Sequence, residues 1–383
     1  MKIFLNAIYG QILLNAYIIR RGYQALPPKK TIRTPFILFF VLELLLYFIG
    51  YIFYKDLPDN ILHYIMLICF TWYVASIYFA IGLLLLDLIR LSNRIHRWYP
   101  LSIVKNWRKI KLSLFLIFIL TVTGLMIQGY YHAVYPAVRH VQIHIPKAVE
   151  GRDSLTIVLM SDLHFGEFIG KKNVQRFVEI SNAANPDLVV MAGDIMEYES
   201  RHAEKQHIEE EFQRLNAPLG VYMVLGNHEY RANRFAKLRW LAKTGGVLLV
   251  DSVAMPDSRF YLIGRDDTTN LKRASLACLM EGVDLTKPVI VVDHQPVSVE
   301  DAIAEACDLC LYGHMHNGQY WPVRHFFRLV HKYTYGYFYK EHTHIYVSSG
   351  IGFAGAPFRI GTRSELVVLH VRFGSKGTQM TQI

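Results

Sequence analysis

Three apolar runs in the first 131 residues decide most of what this 383-residue chain can fold into. They are residues 36–54 (FILFFVLELLLYFIGYIFY), 61–89 (ILHYIMLICFTWYVASIYFAIGLLLLDLI) and 112–131 (LSLFLIFILTVTGLMIQGYY). As a helix, each is long enough to cross about 30 Å of hydrocarbon. Backbone N–H and C=O groups find no water there, so helices that pair them internally are expected. None of the three shows the polar face that a helix on a soluble core would carry. A fourth segment, 3–19, is weaker, because Asn6, Gln11 and Asn15 interrupt it. It lacks a small-residue cleavage site before Arg20-Arg21, so it does not read as a removable signal.

The charge divides at the same place. Residues 1–131 hold 14 Lys/Arg against 4 Asp/Glu, a net +10, whereas the remaining 252 residues hold 27 of each. The basic excess therefore belongs to the membrane part, and a neutral second part offers no broad footprint for a phosphate backbone; no nucleic-acid partner is expected. The loop Arg20–Thr34 carries five Lys/Arg and the loop Arg90–Lys111 seven, against one in Lys55–Asn60. Basic loops face the cytoplasm. A multi-pass protein of the cytoplasmic (inner) membrane follows, with everything after Tyr131 outside, whether the spans number three or four. Glu43 and Asp87 are the acids within these spans. Asp87 lies one turn from Arg90 and is expected to pair with it; Glu43 is read as a helix-packing residue, with a relay role as the rival.

Past the spans, residues 132–153 form a linker or an edge strand, since Val141, Ile143 and Ile145 alternate with polar residues. Residues 154–383 form one domain. Short apolar runs predict strands at 155–160, 188–191, 221–225, 247–250, 260–263, 289–292, 309–312, 345–348 and 366–371. Helical patterns fall at 173–184, 201–215 and 233–244, the last stopping at Gly245-Gly246. Strands alternating with helices and apolar on both faces predict buried sheets with helices outside. Cys307 and Cys310 flank one strand and, at i, i+3, are expected on opposite faces as core thiols.

Eight residues spread over 155 positions stand where these strands run out into loops. They are Asp162 and His164 (SDLHFG), Asp194 (AGDIM), Asn227 and His228 (LGNHE), His294 (VDHQP), and His314 and His316 (YGHMH). Strand alternation would put the i, i+2 pairs Asp162/His164 and His314/His316 each on one side. Carboxylate, amide and imidazole donors together suit Mn, Fe or Zn better than Ca or Mg.

The ordered set D-x-H, G-D, G-N-H-E, H and G-H-x-H resembles the calcineurin-like metallophosphoesterase superfamily. GHMHNGQ followed by IYVSSGIGFAGAPFRIG is similar to its YkuE/YaeI-like branch. The resemblance covers roughly residues 140–373. Met315 and Asn317 depart from the usual small or polar residues there, and Ser349 stands where that branch often carries Arg. The resemblance implies an α/β fold, a four-layer αββα sandwich of two mixed sheets, here preceded by an all-α transmembrane region. It implies two divalent transition metals (Mn, Fe or Zn). One would be held by Asp162, His164 and His316 and the other by Asn227, His294 and His314, with Asp194 bridging. It further implies hydrolysis of a phosphate ester by metal-activated hydroxide, with Asp194 and His228 as catalytic residues. His228 and Asn227 would contact the phosphate, and His228 would protonate or stabilise the departing oxygen.

Three local readings accompany it. Asp266 and Asp267 either form a turn or reach the rim of the site. Glu197 and Glu229, beside ligand residues, are candidates to orient a ligand histidine. Residues 319–340 bring nine large aromatics and Arg324, Arg328, Lys332 and Lys340 without one acid. They either pack on the sheet as an irregular loop or cap the pocket against an acyl chain or anionic headgroups, with Arg324 and Arg328 meeting phosphate oxygens. The leading expectation is a membrane-anchored phosphoesterase acting on a lipid or lipid-linked phosphate, a monoester or a diester. The rivals are a cytoplasmic-facing pyrophosphatase of the UDP-diacylglucosamine type and an inactive metal-bound sensing module.

Overall fold

The computed structural model describes residues 2–54 and 56–374. It divides into two compact units, Met1–Gly129 and Tyr130–Ile383. The expected domain 154–383 ends on residues 375–383, which lie outside the described ones.

The first unit is helical: α1 (Lys2–Ala25), α2 (Lys30–Ile52), α3 (Asp59–His96), α4 (Leu101–Lys105) and α5 (Trp107–Val134), whose last residues belong to the second unit. By length and composition α2, α3 and α5 can each cross a membrane. α1 packs on α2 and α3, and its polar interruptions have a use there. Asn15 Nδ2 donates to Glu43 Oε2 at 2.8 Å, Gln11 Nε2 donates to Asn15 Oδ1 at 2.8 Å, and Trp72 Nε1 donates to the same oxygen at 2.9 Å. Glu43, Gln11 and Asn15 are all buried. Asn15 and Gln11, two of the residues that weaken α1 as an apolar run, thus form a buried polar chain that ends on one oxygen of the neighbouring Glu43 carboxylate. Asp87 meets Arg90 at 3.0 Å and also pairs with Arg21.

The second unit holds two six-stranded mixed sheets. The first has the order β1-β12-β2-β3-β4-β5, from β1 (Ala137–Ile145), β2 (Ser154–Met160), β3 (Leu188–Ala192), β4 (Val221–Val224), β5 (Val247–Leu248) and β12 (Glu365–Phe373). The second has the order β10-β11-β9-β8-β7-β6, from β6 (Ser252–Ala254), β7 (Tyr261–Gly264), β8 (Val289–Val292), β9 (Leu309–Tyr312), β10 (Gly336–Lys340) and β11 (Thr343–Val347). In the first sheet only β12–β2 is antiparallel, so β1 is a parallel edge strand against β12.

Period-two alternation builds the layers. Leu155, Ile157 and Leu159 of β2 join Leu262, Ile290 and Leu311 in the core between the sheets. Val158 and Met160 point the other way, under α6 (Lys171–Ala183) and α9 (Arg234–Leu241), with Phe177 and Trp240. On the far face Ile263, Val291 and Cys310 pack against Leu276 and Ile303 of α10 (Leu276–Leu279) and α11 (Val299–Ala304). Each such aliphatic burial contributes about 1.5–3 kcal/mol. The result is the expected αββα sandwich.

Three local expectations change. The helix expected at 201–215 is two short ones, α7 (Arg201–Lys205) and α8 (Glu209–Phe212). Ala203, Ile208 and Phe212 are buried, and the five-residue step from Ala203 to Ile208 is too long for one helical face. The chain resets at His207, in the left-handed region at φ 49°. Residues 319–340 are not irregular throughout; they contain α12 (Val323–Val330) and strand β10. Cys307 precedes β9, so strand alternation does not separate it from Cys310: both thiols are buried in the same outer core and free.

Candidate metal centre

The first sheet delivers Asp162 and His164 after β2, Asp194 after β3, and Asn227 and His228 after β4; the second delivers His294 after β8 and His314 and His316 after β9. All lie beyond the strand ends, so strand alternation does not aim the paired ligands. Left-handed backbone does: Asp162, His164, Asp194, His314 and His316 have φ of 53°, 50°, 50°, 70° and 48°. Non-glycine residues in that region are uncommon and cluster where surrounding structure enforces them. The flanking glycines allow the close approach. A Cβ on Gly193 would come within 2.7 Å of His294 Nδ1, and one on Gly313 within 2.6 Å of Asp162 Oδ2.

Two donor groups result. His164 Nε2 and His316 Nε2 are 3.0 Å apart, with Asp162 Oδ1 3.3 Å from the latter. His294 Nε2 lies 3.2 Å from each of Asp194 Oδ2, Asn227 Oδ1 and His314 Nδ1. Asp194 Oδ2 is also 3.8 Å from His164 Nε2, so it stands between the two groups. Two nitrogens bound to one ion at about 2.1 Å stand about 3.0 Å apart at a right angle and about 3.4 Å at a tetrahedral one. The spacings of this mixed N/O set fit two divalent cations. Among the described residues every group of three donors that could hold an ion falls here.

A second layer fixes the donors. His294 Nδ1 donates to the Ala192 carbonyl at 2.8 Å, which leaves Nε2 free to ligate. Glu197 Oε2 lies 2.5 Å from His164 Nδ1. Burial works against the charge of Glu197, yet the imidazole beside it holds the carboxyl below its ordinary value. Glu229 touches no ligand histidine. It is buried and accepts the backbone N–H groups of Asp194, Met196 and Gly226 at 3.0, 2.9 and 2.8 Å, tying the loops after β3 and β4 together.

His228 sits in the group with His164 and Asp194. Its Nδ1 is 2.7 Å from the Glu197 carbonyl, so Nδ1 donates and Nε2 accepts, here from Arg231 Nη1 at 2.5 Å. Burial pushes its imidazole down to about 4. Asp267 accepts from the Thr269 N–H at 2.8 Å in a local turn and from Gln295 Nε2 at 2.9 Å, while Asp266 accepts from Tyr230 Oη at 2.5 Å and Asn270 Nδ2 at 2.9 Å.

Two basic residues here went unnoticed in the sequence. Arg359 is wholly buried; it donates to the carbonyls of His316 (3.1 Å), Ser349 (2.5 Å) and Gly352 (2.7 Å), and burial lowers it to about 10. It braces the last ligand loop, and its only signal was an arginine flanked by apolar residues in PFRIG. Arg231, three residues past His228, had no signal at all.

A cavity of about 800 Å³ opens beside the donors, lined by His314 and His316 on one side and by Val297, Phe327, Val330 and Tyr333 on another. Arg324 and Arg328 are not among its lining residues. Arg324 instead donates to the Gly361 carbonyl at 2.7 Å, and Arg328 is exposed. The basic lining groups are His331 and Lys332, and Lys332 is already paired with Glu300 at 2.8 Å. Trp321 and Phe326 also lie outside the lining.

Residues 155–318 match the family described as calcineurin-like phosphoesterase. A transmembrane protein with metallophosphoesterase domain from Danio rerio is 31% identical over 282 residues, 68% of this chain and 62% of that one. An uncharacterized metallophosphoesterase of Helicobacter pylori is 28% identical over 376 residues, 96% of this chain and 97% of its own. The metallophosphoesterase YkuE of Bacillus subtilis is 26% identical over 239 residues, 58% and 80% of the two. The chain thus spans less than two thirds of the Danio rerio relative and nearly all of the Helicobacter pylori one. Behind helices long enough to cross a membrane, the chain carries a calcineurin-like metallophosphoesterase domain.

Proposed function

We propose that this protein is a membrane-anchored, dinuclear-metal phosphohydrolase that acts on a lipid-linked phosphate outside the cytoplasmic membrane. The observation that carries the chemistry is the adjacency of two donor groups, Asp162/His164/His316 and Asp194/His294/His314, with Asp194 Oδ2 3.8 Å from His164 Nε2. Asp162, His164 and His316 would hold one cation, and Asn227, His294 and His314 the other. Two divalent cations supply an activated water and offset charge on the phosphoryl group. The chain's own residues do the rest. Left-handed loops fix the donors, Glu197 and the Ala192 carbonyl orient two of the imidazoles, and the Nε2 of His228, 3.9 Å from Asp194 Oδ2, would meet a phosphoryl or departing oxygen. Arg231, which already reaches that nitrogen, would bring positive charge to the same oxygens.

The lipid assignment rests on the cavity and on the spans. Phe327, Val330 and Tyr333 give apolar walls within reach of two ligand histidines, and each methylene buried there contributes about 0.8 kcal/mol at most. Four would change affinity by roughly two decades. The test is hydrolysis by full-length protein reconstituted with Mn, Fe or Zn, on a long-chain phosphoester and its short-chain analogue. We expect preference for the long chain, its loss in Phe327→Ala/Val330→Ala, and no activity in Asp194→Asn. Equal rates on both chains in the parent protein would remove the lipid assignment. Full activity in Asp194→Asn would remove the metal one.

A further inference from the structure

α12 leaves one face without a partner. Phe326, Leu329 and Val330, at i, i+3 and i+4, are 61%, 83% and 77% exposed, while Phe327 packs toward the second sheet's outer core. Val297, which lines the cavity together with Val330, is 63% exposed. Large exposed apolar groups thus continue from the cavity lining at Val297 and Val330 onto the open face of α12, unusual for a surface meeting water. Within residues 319–340 the charge is one-sided, and Glu300 beside them is taken up by Lys332 and Lys340. Residues 319–340 contain no acid, and neither Arg324 nor Arg328 forms an ion pair among the described residues. An apolar stripe flanked by unpaired arginines is the pattern of a helix lying in a membrane interface.

We infer that α12 docks into the interfacial layer of the bilayer in which this chain's own helices sit, with anionic lipids as its preferred headgroups. The occupant is a lipid surface rather than a protein on two grounds: the chain already carries membrane-length helices, and two arginines without carboxylate partners complement anionic headgroups. Phe326 and Leu329 enter the acyl boundary, and Arg324 and Arg328 stay at headgroup level. Val330 and Val297 then join the cavity to the hydrocarbon, so a lipid tail reaches the ligand histidines without crossing water. This last step rests on the function proposed above; the docking does not.

The experiment uses the full chain with exposed Cys278→Ser and an environment-sensitive fluorophore at Phe326→Cys, Leu329→Cys or, as control, Lys172→Cys on α6 in the opposite outer layer. Vesicles are phosphatidylcholine with or without phosphatidylglycerol, doped with nitroxide lipids. Expected are blue-shifted, nitroxide-quenched emission at 326 and 329 but not at 172, stronger with phosphatidylglycerol. Arg324→Gln/Arg328→Gln should lower the docked fraction's ratio roughly tenfold or more in anionic vesicles. Equal quenching at all three sites, or none at 326 and 329, overturns the docking; so does a blue shift that nitroxide lipids leave untouched, which marks a protein contact. Docking that fails while long-chain preference persists would leave the proposed substrate class standing, and the converse result would remove only the lipid substrate.

Discussion

Replacing Glu229 by Gln should destabilise the second unit before any metal is added. The native carboxylate is fully buried, and its two oxygens accept three backbone N–H groups, Oε2 from Asp194 and Gly226 and Oε1 from Met196. Burial and the Asp194 charge push its pKa up, while buried Lys237 and the amides of Met196 and Gly226 pull it back. A Gln oxygen turned toward Asp194 and Gly226 leaves its NH2 facing the Met196 N–H. One charge-assisted bond is lost, about 1.5–3 kcal/mol, and two more fall to neutral strength. Lys237, whose Nζ donates to the His228 carbonyl at 2.6 Å, loses the countercharge in its interior. Together these come to about 3–4 kcal/mol, in line with breaking a buried pair from one side. For a unit of this size that lowers Tm by about 6–16 °C.

The assay is thermal unfolding of metal-stripped full-length protein in detergent, with hydrogen exchange at the amides of Asp194, Met196 and Gly226. Those three amides should lose protection selectively, because the carboxylate is their hydrogen-bond partner. Glu197→Gln is the comparison. Its side chain is 28% exposed and lies against His164, so solvent screening limits its cost to about 1 kcal/mol. A Tm change below about 2 °C in Glu229→Gln, with the three amides still protected, would show that the loops after β3 and β4 are held by something else.

Other outcomes follow from the same geometry. His228→Asn should retain near-normal metal content while turnover falls roughly 10²–10⁴-fold, less on a substrate with a good leaving group; metal lost in proportion to activity would move His228 into the ligand shell. Arg231→Gln should raise KM for a phosphomonoester more than it lowers kcat, and Arg231→Lys should restore part of it, whereas unchanged KM would leave Arg231 as a cap on His228 alone. Protease added to intact spheroplasts should cut the second unit; protection until lysis would favour the cytoplasmic-facing pyrophosphatase.

How much the sequence disclosed depended on whether a property is local. Strands β8 and β9 fall at the expected 289–292 and 309–312, because four consecutive buried apolar residues between turn signals admit few other readings. α7 and α8 were read as one helix because charge and helical spacing are local, while the demand that Ala203 and Ile208 both reach the core is not. The reason the paired ligands face inward was also misread: alternation explains Leu155, Ile157 and Leu159, but Asp162 and His164 lie past the strand in left-handed backbone. Arg359 reaches the His316 carbonyl and Glu229 the Asp194 and Met196 amides, 43, 35 and 33 residues away, and no local sequence window contains those partners.

The scatter of the ligands over 155 positions has its own physical sense. Each proposed ion would take donors from both sheets: Asp162 and His164 from the first with His316 from the second, and Asn227 and Asp194 from the first with His294 and His314 from the second. The apolar core between the sheets is non-directional, so by itself it fixes neither sliding nor rotation of one sheet on the other to the tolerance a coordination shell needs. Direct hydrogen bonds across the seam supply that tolerance. His294 of the second sheet donates to Ala192 of the first at 2.8 Å, and the His314 N–H donates to Asp162 at 3.1 Å. Both bonds sit within one residue or two of a ligand, so registration is tightest where the chemistry requires it. α12, in the acid-free segment 319–340, takes no part in these bonds across the seam.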